Sequence, residues 1–241
     1  MKRAIYMSRC VGILSGKGGV GKTTTTLNLA LAMREFRRDV CVLDANIGMP
    51  NVAIHLGCTN LPVYLNHVLK NSNKMAEAVY RHPSGMKVIP SSLVHTDIDG
   101  SSLENMNEHV NQVKNKFELL LVDCPPGLND DAKHVINAID EAIVVTNPDL
   151  ASVTDSLRTI HYCEENGVSV LGVILNKVKG DKHEMSSENI ISMLDKVILG
   201  EIPHDDTVKE ALNTKHPVVF SFPEADVSKS FKNLAKQLIG E

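Results

Sequence analysis

Short apolar runs alternate with longer stretches of helical periodicity along most of the chain. The runs fall at 11–15, 40–44, 86–90, 119–123, 142–147, 170–176 and 197–203, and each is nearly continuous in apolar, largely β-branched residues. Strands covered on both faces read this way, whereas half-exposed strands alternate apolar with polar positions. Between the runs, the spacing predicts helices over 23–36, 62–70, 102–115, 130–138, 152–165, 186–195 and 228–239. The repeated strand-helix order predicts an α/β fold, a mostly parallel twisted sheet with helices on both faces and ligands at the carboxyl ends of the strands. No Pro/Gly/Ser linker, charge block or internal repeat divides the pattern, so residues 1–241 are read as a single domain.

Composition narrows the function classes. With 43% hydrophobic and 22% charged residues the chain has ordinary globular makeup. No apolar run reaches the roughly 18 to 20 residues of a membrane-spanning helix, and the basic start MKRAIYMSRCVGIL leads into a strand-like run without a small-residue cleavage site. The expected location is therefore cytoplasmic. A formal charge of −4 gives no global attraction to nucleic acid or anionic lipid. Cys10, Cys41, Cys58, Cys124 and Cys163 are scattered without a C-x-x-C pair, which fits reduced thiols and neither a disulfide framework nor a zinc site. The histidines lack metal-ligand spacing, and no G-x-S-x-G elbow supports serine hydrolase chemistry.

The chemistry sits after the first strand. Gly16-Lys17-Gly18-Gly19-Val20-Gly21-Lys22-Thr23 fits G-x-x-x-x-G-K-[ST] and runs directly into the helical stretch 23–36, with Thr24 in its first turn. Glycines let the backbone turn its N–H groups inward at a helix N-terminus, Lys22 reaches the β- and γ-phosphates, and the Thr23 hydroxyl ligates Mg²⁺. A second signal is LLLVDCPPG, in which an apolar strand delivers Asp123 to its C-terminal end before Cys124, Pro125, Pro126 and Gly127. An aspartate at a strand end also serves as a helix cap, but coupled to the loop it reads as a Mg²⁺ carboxylate, with the Gly127 N–H near the γ-phosphate. ATP with Mg²⁺ is the expected ligand.

Lys17, just after the first glycine, separates this loop from an ordinary phosphate-binding loop. The segment closely resembles the deviant Walker A motif of the MinD/ParA family, most of all its archaeal MinD-type branch. The resemblance extends through DANIGMPN (44–51), YRHPSGMKVIPSSL (80–93), residues 123–127, TNPDLASVTD (146–155), ILNKV (174–178) and EIPHDD (201–206), essentially the whole chain. It implies an ATP-dependent homodimer in which Lys17 of each subunit reaches the phosphates held by the other. Lys17, Lys22, Asp44 and Asn46 are then the catalytic set, with Thr23, Asp44 and Asp123 around the metal. Asn46 stands where the family commonly has a second aspartate. An amide positions water but accepts no proton, so slow hydrolysis follows. The resemblance further implies that Asn176 reads adenine, that Pro203 and Asp205 cover the base, and that Asp149 and Asp155 lie near the dimer interface or a partner surface. By local sequence alone, Asp44, Asn46 and Asn176 also read as turn residues, Asp149 and Asp155 as helix-start carboxylates, and Lys17 as a solvated loop lysine.

The implied function is a MinD-like ATPase switch that positions a cellular structure, with a regulatory protein partner and possible peripheral contact with a membrane. A ParA-type DNA-partitioning ATPase is the first rival, and net acidity works against it. An iron–sulfur carrier of the same superfamily is the second, and the missing C-x-x-C works against that. The amphipathic segment 228–239 is expected to pack against the sheet through Phe231, Leu234, Ala235 and Leu238, joined by Val227, with lysines outward.

Overall fold

The computed structural model describes residues 8–94 and 103–240. Eight strands form one sheet, β1 (Arg9–Leu14), β2 (Val40–Asp44), β3 (Tyr80–Arg81), β4 (Lys87–Ile89), β5 (Leu119–Asp123), β6 (Glu141–Thr146), β7 (Ser169–Val178) and β8 (Ile198–Pro203), in the spatial order β3-β4-β2-β5-β1-β6-β7-β8. All neighbours run parallel except β3 against β4. The expected strands are all present with ends shifted by up to two residues. The pattern missed β3, which is too short to carry a periodicity.

Ten α-helical segments complete the described fold: α1 (Lys22–Glu35), α2 (Val52–His55), α3 (Leu65–Leu69), α4 (Met106–Lys114), α5 (Asp130–Ile136), α6 (Leu150–Glu165), α7 (Ser187–Leu194), α8 (Thr207–Asn213), α9 (Val218–Ser221) and α10 (Asp226–Ile239). The helix expected over 62–70 is shorter because Tyr64, extended at φ −124° and ψ 167°, precedes its first residue. The helix expected from 102 begins outside the described residues, and α4 covers its main part. The short α2, α8 and α9 were not expected, since four to seven residues give too few turns to show a face.

Alternate residues of each strand feed two separate cores. Cys10 and Leu14 of β1, Cys41 and Leu43 of β2, and Leu120 and Val122 of β5 point to one face, where residues of α4, α5 and α6 cover them. Val11 and Ile13, Val40 and Val42, and Leu119 and Leu121 point to the other, against α1, α9 and α10. Burial on both faces explains why these strands read as unbroken apolar runs. In α10, Val227, Phe231, Leu234 and Ala235 are buried in the second core as expected, while Lys232 pairs with Glu35 at 3.2 Å.

This architecture brings the ends of β1, β2 and β5 side by side. Asp44 of β2 stands in register with Asp123 of β5, and Ile13 of β1 lies on Asp123 from the other side. The loop leaving β1 therefore passes directly over two carboxylates. Gly16 is required there, because a Cβ would come within 2.2 Å of the Asp155 backbone in α6.

Candidate nucleotide site

The loop over residues 16–21 delivers the chain into α1 through Gly21, held at φ 97° in the left-handed region. No side chain caps α1 and its first turn carries no acidic residue, so the N–H groups of that turn remain available to an anion. A helix start left open in this way suits phosphate oxygens. A side chain at Gly21 would be strained by its φ and would also meet the Asn176 Nδ2 at 2.1 Å.

Beneath the loop the polar groups converge on Asp123, which is fully buried. The Thr23 hydroxyl donates to Asp123 Oδ2 at 2.5 Å, Thr26 donates to Oδ1 at 3.4 Å, and the Lys22 ammonium lies 3.5 Å from Oδ1. Asp44, also fully buried, accepts from the backbone N–H of Asn46 at 3.2 Å and of Val52 at 3.1 Å. Burial and the neighbouring Asp123 push the Asp44 carboxyl up to about 8. Two neighbouring buried carboxyl groups are served by one nearby ammonium, that of Lys22, and a divalent cation would let both ionise. The hydroxyl and carboxylate oxygens of Thr23, Asp44 and Asp123 are the hard donors that Mg²⁺ takes.

Around this centre an open cleft is lined by Ser15, Gly18, Gly19, Gly21, Lys22, Thr23, Thr24, Asn46 and Lys177, among others. Val20 lies buried beneath it. Lys17 is exposed on the loop, and among the described residues its ammonium makes no ion pair or hydrogen bond. Asn46 is buried, and its side-chain amide donates to the Met49 carbonyl at 2.7 Å, a bond that Asn51 duplicates at 2.7 Å. Two amides thus clamp the Met49 carbonyl, and the Met49 side chain stands 67% exposed.

A second pocket adjoins the cleft through Gly21, Thr24 and Lys177, and its walls include Asn176, Pro203, Asp205, Val208 and Phe231. It suits a planar base with an amide at its edge. One assignment needs correction. The Gly127 N–H is not free for a phosphate, because it donates to the Ser15 carbonyl at 2.8 Å while Gly127 turns at φ 74°. The Asp205 carboxylate caps α8, accepting from the Thr207 N–H at 2.8 Å and hydroxyl at 2.6 Å, while the residue lines the pocket. Asp149 likewise caps α6 by accepting from the Ser152 N–H at 2.9 Å, and Asp155 forms a 3.8 Å pair with Arg158. The sequence reading gave no role to Lys177 or His55, although both line the cleft. Nothing in the local sequence marks either one, since each depends on packing between distant segments.

A family model described as ParA, NUBPL iron-transfer P-loop NTPase, matches residues 6–239. An uncharacterized ATP-binding protein of Methanocaldococcus jannaschii is 33% identical over 97% of this chain and 89% of its own length. Among solved structures, the Pyrococcus furiosus cell division ATPase MinD superposes with a TM-score of 0.90 at 30% identity, covering 97% of this chain and 99% of that one. The septum site-determining protein MinD of Pyrococcus horikoshii, complexed with Mg-ADP, gives 0.89 at 30% identity over 96% of each chain. MinD from the MinC:MinD complex of Aquifex aeolicus gives 0.86 at 29% identity, covering 97% and 96%. An uncapped helix behind a lysine-bearing glycine loop, two buried carboxylates beneath it and a match along nearly the whole chain agree: the chain belongs to the ParA family of P-loop NTPases.

Proposed function

We propose that this chain is a MinD-type ATPase switch, which pairs when ATP is bound, presents a surface to a protein partner while paired, and separates after hydrolysis. The contrast between its two loop lysines carries the reading. Lys22 is buried at 8% exposure against Asp123, whereas Lys17, five residues earlier on the same loop, stands in solvent. A cation that its own chain leaves unpaired is free to serve the phosphates of a second copy, as an arginine finger does, which makes turnover conditional on assembly. Met49, exposed on the loop that follows β2, and Leu150, exposed as the first residue of α6, supply apolar surface for pairing at this end of the sheet.

Within each copy, Lys22 and the first turn of α1 hold the phosphates. Thr23, Asp44 and Asp123 hold Mg²⁺, which neutralises phosphoryl charge. Asn46, on the loop bordering the cleft, orients the attacking water without accepting its proton. Asn176 and Pro203 take the adenine. The iron-transfer reading in the family description has less support, because Cys10, Cys41, Cys124 and Cys163 are buried, and burial pushes the Cys10 and Cys163 thiols up to about 12, away from metal-binding thiolate. Sedimentation of the full chain tests the switch directly. A dimer with ATP and Mg²⁺ and a monomer with ADP is the expected result, and one mass under both conditions contradicts it.

A further inference from the structure

Lys177 is held in a conformation that its residue type disfavours. It sits at φ 61°, in the left-handed region, where a non-glycine residue is uncommon and strained. The position is one residue wide. Asn176 pairs with Ile202 and Val178 with Pro203, so Lys177 is an extra residue in β7 opposite β8, a β-bulge. Bulges re-aim side chains, and this one turns Lys177 back over the glycine loop, where its ammonium donates to the Gly19 carbonyl at 2.6 Å. Beside it the Asn176 amide donates to the Val20 carbonyl at 2.7 Å. Two consecutive loop carbonyls are therefore drawn toward the end of β7.

A trans peptide unit is planar, with its C=O and N–H pointing in opposite directions. Pinning the carbonyls of Gly19 and Val20 toward β7 thus turns the N–H groups of Val20 and Gly21 away from it. Left alone, Gly19 and Gly21 give this segment wide freedom, since both already occupy positive φ. Lys177 also lines both the phosphate cleft and the adjoining base pocket, so the strut stands on the wall between them.

We infer that Lys177 is a positioning residue for the phosphate-binding loop: the bulge at the end of β7 aims its ammonium at the Gly19 carbonyl and thereby presets the loop N–H groups for a nucleotide polyphosphate. Its contribution goes to binding, in the ground state and the transition state equally, so it lowers KM and leaves kcat alone. The inference rests on ATP being the ligand of this site.

Lys177→Gly, Lys177→Asn and Lys177→Arg test it. Glycine and asparagine accept the left-handed conformation and keep the bulge, while arginine restores a cation. Both Lys177→Gly and Lys177→Asn are expected to raise KM for ATP and the Kd for Mg-ADP about tenfold, equivalent to about 1.4 kcal/mol, with kcat within twofold of wild type. Lys177→Arg should recover most of the loss. Hydrogen exchange of the loop amides in nucleotide-free protein supplies a readout that needs no turnover. Exchange over 16–21 should be faster in the glycine and asparagine variants and unchanged over β1 and β5. Unchanged KM and unchanged loop exchange in Lys177→Gly would overturn the inference, as would a loss confined to kcat. Wild-type protein that binds neither ATP nor Mg-ADP would instead defeat the nucleotide assignment, and loop exchange would still report on the strut.

Discussion

Asp44, at the end of β2, and Asn46, in the loop that follows it, are linked by a hydrogen bond and have different tasks in the site proposed above. Burial beside Asp123 raises the Asp44 carboxyl to about 8, so between pH 4 and pH 8 the folded state keeps a proton that the unfolded chain gives up. Stability from that proton is fully present below the usual aspartate range and is lost as the pH climbs through about 8. Replacing Asp44 by Asn removes the effect. In the absence of Mg²⁺ and nucleotide, the Tm of Asp44→Asn should exceed that of wild type by a margin that grows from pH 5 to pH 8, and a margin constant with pH would contradict this. Asn46→Asp should raise kcat several-fold at saturating ATP, because a carboxylate accepts the proton that an amide only faces. Asn51 retains its bond to the Met49 carbonyl in that variant, so the loop stays clamped. Silent Asn46→Asp and Asn46→Ala variants would place residue 46 outside the chemistry. Much of this site was legible in the sequence, since Gly16 to Thr23 are consecutive and need only one strand and one helix around them. The Gly127 N–H was misread because its hydrogen bond to the Ser15 carbonyl is made by tertiary packing that the local sequence does not show.

At the scale of elements, periodicity found every strand buried on both faces and failed on the pieces too short to have a period. β3 has two residues and α9 has four. Lys177 was hidden for a related reason: VLGVILNKV reads as one smooth run, and only pairing with β8 exposes the extra residue. The terminal helix illustrates what the pattern did show. Its lysines face outward while Phe231, 1% exposed, fills the second core and forms part of the base pocket wall. Phe231→Ala should therefore destabilise the fold by about 3 to 5 kcal/mol in urea unfolding. It should also weaken Mg-ADP binding. Destabilisation below about 1 kcal/mol would mean that α10 is not an integral part of the core.

For the whole molecule, the sheet order places β1 between β5 and β6, so the glycine loop, both carboxylates and the start of α6 all gather at one end of the sheet. That end is where the general rule for parallel sheets places a ligand. It also presents Lys17 and exposed Met49 and Leu150 outward, a concentration of unused cation and apolar surface beside a phosphate cleft. In the dimer proposed above, a second copy bound face to face would use all of these at once. The symmetry of that proposed dimer makes a sharp demand on mixtures, because each ATP would see Lys22 and Asn46 of one chain and Lys17 of the other. The most direct measurement is ATP hydrolysis by equal amounts of Lys17→Ala and Asn46→Ala chains, after sedimentation with ATP has established that the two pair. Alone, each variant is expected to be nearly inactive. Random pairing puts about half of the dimers in the mixed class, each with one intact site, so the mixture should recover about a quarter of wild-type activity. Activity no higher than the average of the separate variants would show that Lys17 acts on its own chain's nucleotide and would contradict the assembly-dependent switch.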